Sequence, residues 1–320
     1  MNEKQKIYGL IEFSQELLCA ADSLGCSVDI ELANYTATLT LPFLPNWDSN
    51  EKDPLNKCLI GPKPADKWKR GDEIIFWGKP TSYPNGNSYV NYTLLEFSID
   101  STIIDAATQA IYSSFPAWLN LFEKYVMLLT KQHTRNQIYG ADGHARLELL
   151  LDDANKLKYI SSKTSNSIQL IIDQEDVSLH YAQFVEASKL SSKLLKPRLE
   201  YQLLLDAYIA RRNHDFRKVI IEGASALEVC LTTRIQEEFD SQGIKFGKKL
   251  LDKFRMLSGR FELVRVLGIE LPDKDYNTII INPRNDVVHR ASYPDRKTTE
   301  LFINEVESLM NLFTPQLYEI

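Results

Sequence analysis

Late in the chain, within Asn282-Pro283-Arg284-Asn285-Asp286-Val287-Val288-His289, three side chains are spaced for chemistry. His289 supplies an imidazole, a group that can take or give a proton. Arg284 keeps its charge at every accessible pH and offers a fork of N–H donors to an anion. Asn285 adds an amide. A base, a permanent cation and an amide on one short stretch suit phosphodiester chemistry. With 14 arginines and five histidines in 320 residues, Arg-x4-His arises by chance about 0.2 times per chain, so the surroundings must carry the reading.

Those surroundings read as the opening of a helix. Asn282 has the side chain of an N-cap, and Pro283 falls at the first helical position, where its missing N–H costs nothing. Arg284 and Asn285 would then lie at the end of a helix that attracts anions. Asn285 and His289, four apart, share a face. Arg284 and His289, five apart, diverge by roughly 140° on an ideal helix, so only the long arginine stem brings them toward one phosphate.

Composition sets the wider frame. A hydrophobic content of 44% and a charged content of 25% are those of an ordinary soluble protein with room for two domains. The net charge of -6 gives no global nucleic-acid signal, yet Lys189 to Arg265 holds 16 basic against 10 acidic residues, a local excess suited to a polyanion. The cysteines Cys19, Cys26, Cys58 and Cys230 show neither CxxC nor zinc spacing, and free thiols in a reducing cytoplasm are expected. No signal peptide or membrane-length apolar run is present, so no membrane partner is expected; no metal or cofactor is expected either.

The expected fold class is α+β: a β-rich domain over 1–185, with a helical middle segment and a sub-boundary near 105–135, then an all-α bundle over 186–320. Val28–Leu32 and Ala37–Leu41 alternate with period two. Glu73–Trp77 and Ser88–Leu95 flank Pro84-Asn85-Gly86-Asn87, a hairpin turn by its Asn-Gly pair. Lys63, Lys67, Trp68, Lys69 and Arg70 form a basic, aromatic loop that could hold single-stranded nucleic acid. The commoner alternative has Trp68 anchoring an exposed loop to the core. Ile111, Phe115, Trp118, Phe122 and Tyr125 make the stripe of a helix from Asp105 to about Gln132, which Pro116 should kink or divide. His133 and His144 flank a loop and read as surface or hydrogen-bonded residues. A helical piece over Arg146–Leu157 and a strand over Ser167–Ile172 follow.

Beyond Gln183 the periodicity is helical throughout. Leu194–Arg212, Phe216–Phe239, Lys248–Leu267 (ended by Gly268), the Arg284 segment and Asp295–Phe313 make about five helices, a bundle. Phe216–Phe239 carries the apolar stripe Ile220, Ala224, Leu227, Leu231, Ile235 and, on another face, Ser225, Glu228, Thr232, Gln236.

On the Arg284–His289 motif and the Ala-Leu-Glu helix around Ile220–Glu228, the C-terminal region resembles the HEPN domains. These are helical bundles of many prokaryotic toxins, antiviral effectors and RNA-processing enzymes, marked by Arg, four to six residues, then His. The resemblance covers roughly Gln183 to Ile320. It implies a HEPN-like bundle and a metal-independent endoribonuclease, a homodimer through the helical domain with two motifs in one cleft. His289 would act as general acid/base, Arg284 as transition-state stabiliser and Asn285 as phosphate positioner, with Glu228 or Arg290 assisting. RNA is the implied substrate, the setting a defence or toxin-type effector with an N-terminal regulator, and an antitoxin or trigger a further partner. The alternative is a non-catalytic dimerisation module that binds RNA or protein.

Overall fold

The computed structural model describes residues 4–45, 58–70, 73–81, 86–132, 146–153, 156–162, 177–314 and 316–318. The chain forms two compact units, 1–196 and 197–320. In the first, the strands are β1 (Lys4–Cys19), β2 (Ser27–Leu32), β3 (Tyr35–Thr40), β4 (Lys69–Arg70) and β5 (Glu73–Ile74). They continue with β6 (Gly78–Pro80), β7 (Ser88–Asp100), β8 (Arg146–Asp153) and β9 (Lys156–Ser162). The helices are α1 (Ile104–Thr130) and α2 (Tyr181–Ser192).

The sheet order is β2-β3-β7-β1-β8-β9, with β6 added on β7, and every pairing is antiparallel. An antiparallel sheet followed by helices makes the chain α+β. β2 alternates exposed and buried residues, as its sequence promised. β1 does not: Ile7 to Ile11 are buried on both faces, so the strand reads as an unbroken apolar run.

Helix α1 lies on the sheet with Ile111, Phe115, Trp118, Phe122 and Tyr125 buried. Phe122 stacks on Phe13 of β1, and the Leu149 N–H of β8 donates to the Tyr112 hydroxyl. Pro116 does not divide this helix. It sits on the exposed face, and the heavily buried stripe opposite holds the helix through the break. α2 packs against α1 through Phe184 and Phe122. A boundary at 185/186 falls inside α2; the two units meet at Lys196 and Pro197.

Two further expectations need correction here. Arg146–Leu157 is not a helix: β8 pairs with β1 and turns into β9, burying Leu147 and Leu149 on the sheet. The strand opposite Ser88–Val90 is Gly78–Pro80, whereas Glu73-Ile74 pairs with Lys69-Arg70. Of the predicted turn, Pro84 and Asn85 lie outside the described residues, as do His133, His144 and the Ser167–Ile172 segment.

The second unit consists of α3 (Leu199–Arg212), α4 (Phe216–Ser241), α5 (Gly247–Lys253), α6 (Leu257–Val266), α7 (Asn282–Arg290) and α8 (Arg296–Phe313). α4 is its axis, packing on α3, α6, α7 and α8. The stripe Ile220, Ala224, Leu227, Leu231 and Ile235 is buried along its length. Asp295 caps α8 by accepting the Thr298 N–H at 2.7 Å. The first helix starts at Leu199 rather than Leu194, after Pro197 has passed in extended pairing with Tyr318.

The predicted helix Lys248–Leu267 is two helices. After α5 the backbone opens, with Met256 at φ -77 and ψ 152, and α6 begins anew. Arg260 of α6 reaches back to donate to the Leu251 carbonyl of α5 at 2.9 Å, satisfying a helix-end acceptor across the break. Gly268, at φ +71, ends α6 as its position predicted. No helix among the described residues is long and apolar enough to cross a membrane.

Candidate functional site

The helix that carries Arg284 begins earlier than its sequence indicates. Asp275 accepts the Thr278 N–H at 3.2 Å and its hydroxyl at 2.6 Å, and the helical run starts at Tyr276. It passes through a π-helical turn, Asn277–Ile281, straight into α7. Asn282 is therefore not an N-cap, and its N–H bonds to the Asn277 carbonyl five residues back. Pro283 is the reason. Inside an α-helix its ring would strike the carbonyl four residues before it, and a widened turn moves that carbonyl aside.

Arg284 and Asn285 thus sit mid-helix and gain nothing from a helix end of their own. The positive helix end comes from elsewhere. A hollow of about 320 Å³ lies against α7, lined there by Arg284, Asn285, His289 and Arg290, with Ile281 from the π turn. Met256, Leu257 and Ser258 complete it, and they are the start of α6. No side chain caps this end, whose first-turn N–H groups have no acceptor within the helix and carry the positive pole of its dipole.

Inside the hollow the arginine stem closes the angle that separates Arg284 from His289. Arg284 Nη1 lies 3.3 Å from His289 Nε2, and it donates to Asn285 Oδ1 at 3.2 Å. A guanidinium nitrogen only donates, so a hydrogen bond here makes Nε2 the acceptor, an arrangement open to the tautomer that carries its proton on Nδ1. His289 is exposed in the last turn of α7, while Arg284 and Asn285 are half-buried. Val287, between them, is fully buried and fixes the rotation of the helix.

Of the two assisting candidates, Arg290 lines the hollow and pairs with Asp286 at 2.8 Å. Glu228 is half-buried on α4 and does not line it; its charge acts on Arg260. Burial pulls the Arg260 guanidinium below the usual arginine range, and Glu228 and Asp252 oppose that shift. Among the described residues no three His, Cys, Asp or Glu side chains gather as a metal-binding set.

The basic loop of the first unit is arranged differently from a stacking platform. Trp68 is 8% exposed and meets the Tyr8 ring edge-on at 5.8 Å. It anchors the loop to the core and has no free face for a base. Lys63 and Lys69 are exposed, while the side chains of Lys67 and Arg70 lie outside the described residues.

Met256, Leu257 and Ser258 are site residues that the sequence does not single out. Their periodicity merges with that of a continuous helix, and only the break places them. Compared with family models, curated proteins and solved structures, the chain matches none.

Proposed function

We propose that the C-terminal unit is a metal-independent endoribonuclease of the HEPN type, working as a homodimer. The observation that carries this reading is the Arg284–His289 contact at 3.3 Å inside a cation-lined hollow. RNA brings its own nucleophile, the ribose 2′-OH, so no activated water is required. An incoming phosphate accepts N–H groups from Arg284, and the guanidinium exchanges its imidazole partner for the phosphate oxygen. That frees the Nε2 lone pair, which takes the 2′-OH proton as the 2′-oxygen bonds to phosphorus. Arg284 meets the negative charge that builds on the phosphorane, and Asn285 positions the phosphate. The 5′-oxygen leaves with a proton from His289 of the partner subunit, which enters the step as an imidazolium while the first ring enters neutral. The products are a 2′,3′-cyclic phosphate and a 5′-hydroxyl.

In this reading the protein is a defence or toxin-type effector in the cytoplasm. Its β-rich N-terminal unit acts as regulator, and a trigger or antitoxin as further partner. The test is incubation of the full chain with RNA in EDTA. Cleavage that leaves 2′,3′-cyclic phosphate ends and is lost in His289→Ala supports it. Intact RNA, or cleavage that returns only with a divalent ion, rejects it. RNA binding without cleavage, unaffected by His289→Ala, would identify a non-catalytic binding module instead.

A further inference from the structure

The hollow has a wall that this chemistry leaves unused. Arg284, Asn285 and His289 stand along α7, and the other side is the start of α6. At the N-cap of α6, where a short polar residue is strongly favoured, stands Met256. Its side chain makes no capping bond, and the residue is 44% exposed on the hollow. An exposed thioether at the rim of the hollow offers a soft apolar surface to whatever Arg284 engages. Two positions on, Ser258 is exposed and adds a neutral hydroxyl to the same wall.

We propose that Met256 and Ser258 hold the nucleobase next to the phosphate engaged by Arg284, which makes them specificity-determining residues. This rests on the ribonuclease reading. The ligand that needs both walls carries an anion and, within one nucleotide's reach of it, a flat apolar face. A thioether packs well on such a face, because its soft sulfur is attracted to aromatic rings. Any base offers that face, so Met256 supplies affinity for bases in general. The Ser258 hydroxyl can donate to or accept from a base edge, so it supplies preference among them. About 320 Å³ is at the small end of ligand pockets, roughly 300–1,000 Å³, and suits one unstacked nucleotide of a single strand.

The test measures binding of the full chain to short, fluorescently labelled single strands. They carry 2′-deoxy sugars, so they cannot be cleaved, and one set lacks all bases. Met256→Ala should weaken binding to base-bearing strands about ten-fold and leave the abasic strand unchanged. Met256→Leu should retain most of the affinity, and Ser258→Ala should alter the ranking among A, C and T strands. Equal loss on both kinds of strand, or no loss on either, overturns the proposal. Failure of wild type to bind any strand overturns it as well. Cleavage is assayed separately on ribose strands: its absence removes the ribonuclease reading and leaves a Met256 effect on base binding standing.

Discussion

Arg284 Nη1 faces His289 Nε2 at 3.3 Å, five residues along one helix, with the hydrogen bond running from cation to ring. The bond fixes a tautomer. With its ring neutral, His289 in the free protein should carry its proton on Nδ1, and nitrogen NMR of selectively labelled histidine reads this directly. Adding inorganic phosphate should perturb both ring nitrogens of His289. A ring protonated on Nε2 would contradict the geometry.

The same contact sets the expected loss on substitution. His289→Ala should lower RNA cleavage by about 10²–10⁴, the range for a positioned acid or base. Arg284→Ala should lower it by about 10²–10³. In the proposed mechanism the two act on one phosphate, and the double variant should then be little worse than His289→Ala alone. Single-turnover cleavage rates check this, and fully multiplicative losses would count against a joint role.

The end of α7 offers a stabilising change. Ala291 adopts φ 50, a left-handed conformation in which a Cβ is unfavourable, and its N–H and that of Ser292 both bond to the Asp286 carbonyl. Ala291→Gly should raise stability by up to about 1 kcal/mol, the relief of folded-state strain being partly offset by the greater entropy of the unfolded chain. Urea melts of the two proteins measure it.

The joint before α6 offers the opposite. A Cβ on Gly259 would stand 3.0 Å from the Phe254 carbonyl oxygen, a backbone atom with little room to move. Gly259→Ala should therefore destabilise the unit by about 1–3 kcal/mol. It should also disturb the wall formed by Met256 and Ser258, seen as weakened strand binding in protein that remains folded.

Alkaline pH should weaken the fold through buried acids. Burial pushes the Cys19 thiol up to about 12 and the Cys230 thiol up to about 11. Burial likewise pushes the Tyr201 hydroxyl up to about 12. In the unfolded chain thiols ionise near 8.5 and tyrosine near 10. These groups hold their protons more tightly when folded, so their stabilisation is complete below about pH 8.5 and lost as pH climbs toward 11–12. Melting temperature should fall over that window. At pH 8, alkylation should reach exposed Cys58 well before Cys19 or Cys230.

What could be read in advance followed from periodicity. The α4 stripe and the β2 and β3 alternation have one wet face each, and a wet face writes a period into the residues. β1 has both faces covered around Ile7–Ile11 and writes none. Leu147 and Leu149 alternate, but with Leu150 and Leu151 between them and Asp152 they pass equally for a helix turn. At the site, the identities and spacing of Arg284, Asn285 and His289 were legible, and the structure brings them together. Pro283 misled, because the residue that often opens a helix here follows a π turn. Met256 stayed hidden because no sequence rule places a methionine at a helix start.

Tyr276, the last residue before the π turn, stacks on Phe261 of α6 with ring centres 4.9 Å apart, and its hydroxyl is tied to the Pro272 carbonyl. The two sides of the hollow are thereby pinned to each other just behind it, like the jaws of a caliper locked at one setting. The gap between them is decided by a pair of rings that do not line it. Thinning either ring would re-gauge the opening while every residue that lines it stayed the same.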